Sequence, residues 1–84
     1  SEYRSIDNLD TLRAWVAEAM NAEWLALDTE TTGLDPMLAG LVGISLSTAP
    51  NTGIYIPVGH IYAERNLAVA DLVPILDPLW NDVG

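Results

Sequence analysis

Near its beginning the chain carries a helical pattern of apolar positions, which predicts an amphipathic helix over residues 8–21. The apolar positions recur every three or four residues, as one face of a helix requires. Asp7 is expected to cap the amino end, and Asp10 lies where the positive end of the helix dipole favours an acid. The apolar positions are Leu9, Leu12, Trp15, Val16, Ala19 and Met20.

Three apolar segments that follow are too short for further helices and predict β-strands. The first runs from Trp24 to Asp28 and is followed by a Thr-Thr-Gly turn sequence. Residues 41–47 and 54–58 are rich in β-forming residues, and the Pro, Asn and Gly residues between them predict a hairpin. Pro57 is expected at a sheet edge because it has no backbone N–H to donate. The three segments predict a three-stranded antiparallel sheet.

The rest of the chain predicts a loop and a second helix. Residues 59–66 are polar and mixed, and the helix is expected to begin near Asp71. Pro74 would then fall in the first helical turn, where proline is tolerated, and Pro78 near the end. Trp15 and Trp24 are expected in the core and Trp80 at the surface. The elements together predict an α/β fold of the α+β kind, with flanking helices packed on the sheet.

The composition fits one small domain with a hydrophobic core. Half of the 84 residues are apolar, unlike the composition of disordered chains. The chain has no cysteine, which excludes disulfides, thiolate metal ligands and thiol nucleophiles. No apolar run reaches the ~20 residues of a membrane span, and no signal sequence is visible. We therefore expect a cytoplasmic protein without a membrane partner and, since it lacks an initiating Met, a piece of a longer chain.

Acidic residues dominate the charge. Twelve acidic residues and three basic ones give a net charge of −9, whereas nucleic-acid-binding proteins usually carry a basic surface. By itself this charge disfavours nucleic acid as a partner. It disfavours less strongly an enzyme that holds a phosphodiester through bound metal ions, because the ions reverse the local field.

The segment Asp28-Thr29-Glu30 is the strongest candidate site. Because side chains alternate along a strand, Asp28 and Glu30 are expected on one face and Thr29 on the other. Two carboxylates this close favour a divalent cation between them, and hard oxygen ligands suit Mg²⁺ or Mn²⁺. One alternative is a pair of acids that merely caps an exposed strand end. A calcium loop is another, but its twelfth position is Ala39 instead of a bidentate Glu.

Three separated segments, taken together, closely resemble the 3′-5′ exonuclease domain of bacterial DNA polymerase I, of polymerase family A. They are Asp-Thr-Glu-Thr-Thr-Gly-Leu-Asp-Pro at 28–36, Leu-Val-Gly-Ile-Ser at 41–45 and Ile-Tyr-Ile-Pro-Val-Gly-His at 54–60. The resemblance extends from about Asp7 to the end of the chain. It implies a ribonuclease H-like fold of the DEDD exonuclease superfamily, in which four carboxylates bind two divalent metal ions.

Within this resemblance, Asp28 and Glu30 match the first two metal-binding carboxylates and are expected to be catalytic, with Mg²⁺ or Mn²⁺ as the cofactor. Leu34 matches an apolar side chain that packs against the terminal base. Thr31 lies in the stretch with which family members contact the 3′-terminal nucleotide. The implied reaction is phosphodiester hydrolysis at single-stranded DNA 3′ ends, in the bacterial cytoplasm and beside the polymerase domain of the same parent chain.

The second and third motifs of the family, which supply the remaining metal ligands, would lie beyond Gly84. The sequence is therefore expected to be the amino-terminal portion of one exonuclease domain, monomeric, weak in metal binding and inactive by itself. One alternative is a domain that kept the fold but lost activity and serves a structural or DNA-positioning role. Another is an exonuclease of the ribonuclease D or helicase-associated type. His60, the only histidine, is expected in a loop with a structural role.

Overall fold

Four strands form one mixed sheet in the order β1-β4-β3-β2. The computed structural model describes residues 2–31, 40–59 and 65–81. β2 pairs with β3 and β3 with β4 in antiparallel fashion, whereas β1 pairs with β4 in parallel. In chain order, the elements are β1 (Glu2–Ser5), α1 (Leu9–Ala19), β2 (Ala26–Thr31), β3 (Leu41–Ala49), β4 (Thr52–Pro57) and α2 (Val69–Asn81).

The predicted α/β fold is confirmed, but the prediction of three strands is wrong, because β1 adds a fourth. Its residues are all exposed, so no buried alternation marks them as a strand. Backbone pairing holds the strand instead. The Glu2 N–H donates to the Asn51 carbonyl at 2.6 Å, and the Ile6 N–H donates to the Tyr55 carbonyl at 2.9 Å.

The predicted hairpin of β3 and β4 is confirmed. Pro50 and Asn51 connect the strands, and Asn51 has a φ of 62°, a left-handed conformation that asparagine tolerates better than most residues. Ser47 is buried beside the turn, and its hydroxyl donates to the Ala49 carbonyl at 2.7 Å. The Thr52 carbonyl also lies within hydrogen-bond reach of this hydroxyl.

Pro57 lies at the end of β4, where one side of the strand is a free edge, as predicted. β4 is an interior strand over most of its length, but β1 pairs with it only as far as Tyr55. The Pro57 carbonyl accepts from the Leu67 N–H at 2.8 Å, so the backbone carbonyl and nitrogen of Pro57 face away from β3. Proline is tolerated there because no neighbouring strand needs its missing N–H.

The cap of α1 is Asn8, not the predicted Asp7. Asn8 has extended backbone angles, and its side-chain oxygen accepts from the Thr11 N–H at 2.8 Å. This bond satisfies one of the backbone donors that a helix leaves unpaired at its start. Asp10 lies in the first turn as predicted and forms an exposed ion pair with Arg13 at 2.9 Å, which contributes little to stability.

The second helix begins at Val69, two residues before the predicted Asp71. Pro74 therefore lies past the first turn, and Pro78 falls four residues later on the same exposed side. Each proline frees the carbonyl four residues before it. Water can bind these carbonyls because the prolines face solvent. Within the described residues, neither helix is long and apolar enough to cross a membrane.

The core lies between both helices and one face of the sheet, which we call the helix-covered face. Its buried residues are Ile6, Leu12, Val16, Ala19, Ile44, Leu46, Ile54, Ile56, Leu72, Leu76 and Leu79. Trp15 packs against this cluster as predicted. Trp24 is 45% exposed, which contradicts its predicted place in the core. Trp80 is also 45% exposed, and this agrees with its predicted place at the surface. Trp24 lies in the segment between α1 and β2, and every residue of β2 is exposed as well, so the core does not extend to this edge of the sheet.

Candidate functional site

The opposite face of the sheet, which we call the open face, carries Asp28 and Glu30. Asp28 lies opposite Ser45 on β3, and Glu30 lies opposite Gly43. Along β3, Ser45 and Gly43 alternate with Ile44 and Leu46, whose side chains are in the core. The predicted placement of the two carboxylates on one face thus agrees with the register. Both are exposed.

The pairing of β2 with β3 becomes irregular immediately after Glu30. Glu30 lies opposite Gly43 but Thr31 lies opposite Leu41, so Val42 is an extra residue on β3. A bulge of this kind bends the strand and changes the direction of nearby side chains. The Val42 carbonyl accepts from the N–H groups of Val58 and Gly59, at 3.0 and 3.1 Å. The carboxylates therefore lie where regular strand pairing ends.

Glu30 also contacts a residue two strands away. The Tyr55 hydroxyl on β4 donates to the Glu30 Oε2 at 3.0 Å. The tyrosine ring lies over Gly43 on the intervening strand, and a Cβ at that position would overlap the ring and the hydroxyl. Gly43 thus leaves the space through which Tyr55 reaches Glu30.

The environment of Tyr55 disfavours its ionised form. Partial burial raises the pKa of the phenol, and the hydrogen bond to Glu30 and the negative charge of Glu30 raise it further. Tyr55 therefore remains protonated and able to donate at neutral pH. On the neighbouring acid, Asp28 Oδ1 accepts from the Thr29 N–H at 3.0 Å.

The two carboxylates are suitable ligands for a hard divalent cation, but they are only part of a ligand set. Asp28 and Glu30 offer exposed carboxylate oxygens from one strand face, the ligand type that Mg²⁺ and Mn²⁺ prefer. Within residues 2–31, 40–59 and 65–81, no group of three or more acidic or histidine side chains could hold a metal ion. Among the described residues, Asp28 and Glu30 are thus a pair of acids and not part of a larger cluster.

Of the two predicted substrate-binding residues, the structure describes Thr31 but not Leu34. Thr31 is the last residue of β2, next to Glu30 and at the change of register. Leu34 and His60 lie outside the described residues. Tyr55 was not among the predicted site residues, although Ile54 and Ile56 on either side are core residues whose alternation places Tyr55 on the open face.

Comparison with known proteins gives one consistent result. A sequence model described as 3′-5′ exonuclease matches residues 3–84. DNA polymerase I of Chloroflexus aurantiacus is 43% identical over 65 residues, covering 77% of this chain and 7% of the relative. DNA polymerase I of Rhizobium leguminosarum is 36% identical over 101 aligned residues, covering 98% of this chain and 10% of the relative. For DNA polymerase I of Borreliella burgdorferi, the identity is 38% and the shares are 81% and 8%. The chain thus spans a tenth or less of each of these relatives.

Proposed function

This chain belongs to the 3′-5′ exonuclease family, and from that membership we propose that it contributes to a proofreading-type site that hydrolyses phosphodiester bonds at single-stranded DNA 3′ ends. The observation that carries the proposal is the pair of exposed carboxylates, Asp28 and Glu30, on the open face. Neither takes part in the core, so packing does not account for them.

In this proposal Asp28 and Glu30 bind Mg²⁺ or Mn²⁺ and are the catalytic residues of the chain. Divalent ions held there would supply an activated water and neutralise charge on the phosphate and the leaving oxygen. With such ions bound, a chain with a net charge of −9 could bind an anionic substrate. Thr31 and Leu34 would contact the terminal nucleotide, Thr31 from the end of β2.

We place the 84 residues at the amino-terminal portion of one exonuclease domain in a bacterial DNA polymerase I. The two remaining carboxylate motifs and the polymerase domain would then belong to the same parent chain, in the cytoplasm. The scarcity of metal ligands among the described residues supports this placement. The segment alone would bind metal weakly, remain monomeric and lack exonuclease activity.

The exonuclease proposal is tested by Asp28→Ala in a full-length polymerase that contains this segment. Degradation of single-stranded 3′ ends should fall by more than about 100-fold, since losing a residue that only supports a metal ligand costs ~10–100-fold. Polymerase activity should not change. Glu18→Ala removes an exposed acid from α1 and is the matched control. Equal degradation by Asp28→Ala and wild type would refute the assigned role.

The second candidate function is an inactive exonuclease-fold module that positions DNA beside the polymerase domain. It differs from the first only in the ligands that the rest of the parent chain would supply, since one missing carboxylate would abolish the paired metal site. A wild-type polymerase that binds single-stranded 3′ ends but does not shorten them at any Mg²⁺ or Mn²⁺ concentration would establish this alternative. Metal-dependent shortening would exclude it.

A further inference from the structure

We propose that Tyr55 is a positioning residue that orients the Glu30 carboxylate for metal binding, and that Gly43 makes this possible. The inference rests on the proposed function of Glu30 as a metal ligand. Its geometric basis is the 3.0 Å hydrogen bond from the Tyr55 hydroxyl to Glu30 Oε2, across the strand between them.

The span of this contact is unusual for a sheet. Neighbouring strands lie about 4.8 Å apart, so side chains on β4 and β2 start ~10 Å from one another. Tyr55 lies opposite Ser45, whereas Glu30 lies opposite Gly43, so the ring must also cross diagonally. Only a side chain lying flat over an empty position can do this. Gly43 is that position, because the ring occupies the place of its missing Cβ.

The contact gives the two oxygens of Glu30 different roles. Oε2 accepts from the tyrosine, so Oε1 is the oxygen that this bond leaves to a cation. A glutamate in an exposed strand otherwise samples several rotamers, and fixing it costs entropy when a metal binds. A carboxylate held beforehand by a hydrogen bond avoids part of this cost. Tyr55 is therefore expected to raise metal affinity without touching the metal.

The open face offers a matched control. Tyr3 also lies over a glycine, since a Cβ at Gly53 would come within 2.6 Å of its ring. However, Tyr3 belongs to β1, and it lines a small cavity that includes Asp28 but not Glu30. Tyr3→Phe and Tyr55→Phe each remove one hydroxyl from the open face, and only the second removes the bond to Glu30.

The test is an Mn²⁺ titration of the 84-residue chain, followed by paramagnetic broadening of the Asp28 and Glu30 amides. In Tyr55→Phe, the Mn²⁺ concentration for half-broadening should rise about 10-fold, within the range for loss of a hydrogen bond that supports a ligand. Tyr3→Phe should match wild type. In a Glu30→Gln background, Tyr55→Phe should have no further effect, because its partner is already altered.

Gly43→Ala gives a second, independent variant. Its methyl group would displace the Tyr55 ring, so half-broadening should shift in the same direction as in Tyr55→Phe. Gly40→Ala is the control, because no atom of the described residues lies within 4 Å of a Cβ at that position. The thermal midpoint of each variant, measured in parallel, separates loss of affinity from loss of folding.

The outcomes distinguish this inference from the proposed function. Selective broadening in wild type that is unchanged or tighter in Tyr55→Phe would overturn the role of Tyr55 and leave the metal site intact. No selective broadening in wild type would overturn the metal site and this inference with it. In the full-length polymerase, Tyr55→Phe should raise the metal concentration that gives half-maximal degradation and preserve the rate at saturating metal. A lower rate at every metal concentration, without a shift in the half-maximal value, would contradict a positioning role.

Discussion

The two faces of the sheet are built from alternate residues of the same strands but have different physical properties. On the helix-covered face, Leu46 and Ile56 are 0% exposed and belong to one core cluster with residues of both helices. On the open face, Asp28 and Glu30 are exposed, and Tyr55 reaches across the sheet to Glu30. One face therefore stabilises the fold, and the other presents oxygen and hydroxyl groups.

The difference shows how packing on one face determines chemistry on the other. A shift of one residue in the pairing of β3 with β4 would turn the core side chains of one strand, such as Leu46 or Ile56, to the opposite face. Burial of these side chains therefore fixes the register of β3 and β4. β2 is exposed on both faces, and its pairing with β3 keeps Asp28 and Glu30 together on the open face.

The largest expected effect is a difference in stability between substitutions on the two faces of β3. Leu46→Ala should lower the free energy of unfolding by about 2–5 kcal/mol, because it leaves a cavity in the core. Ser45→Ala, one residue away on the open face, should change it by less than about 0.5 kcal/mol. Urea unfolding of both variants measures the difference. Similar losses for both would show that the open face also contributes to packing.

The sequence predicts the helix-covered face better than the open one. Apolar spacing locates the residues of α1 and the hairpin of β3 and β4, because burial of one face imposes a regular period. Strand β1 was missed because backbone hydrogen bonds to β4 hold it, and these have no sequence signature. The Asp28 and Glu30 pair was visible as a motif. Tyr55 was not, because its contact with Glu30 depends on a diagonal crossing over Gly43.

A smaller effect tests the helix that covers the sheet. Asn8→Ala should lower the free energy of unfolding by about 1 kcal/mol, because the N–H of Thr11 loses its acceptor. Asp7→Ala removes the cap that the sequence suggested and should cost less than about 0.5 kcal/mol. Urea unfolding again gives both values. A larger loss for Asp7→Ala than for Asn8→Ala would contradict the observed cap.

The smallest expected effect concerns the open face and appears only at high pH. Since the pKa of Tyr55 is raised in the folded chain, folding is favoured in full below the ordinary tyrosine value of about 10. That contribution is lost as the pH rises through the folded pKa, so stability should decline above pH ~10 more steeply in wild type than in Tyr55→Phe. All three basic residues are Arg, so no Lys titrates in this range.

Glu30→Gln removes the hydrogen-bonding carboxylate and its charge but leaves the burial of Tyr55, and should therefore reduce the decline without abolishing it. Urea unfolding between pH 8 and 11 measures these slopes. Equal slopes in wild type, Glu30→Gln and Tyr55→Phe would mean that Tyr55 does not contact Glu30 in solution.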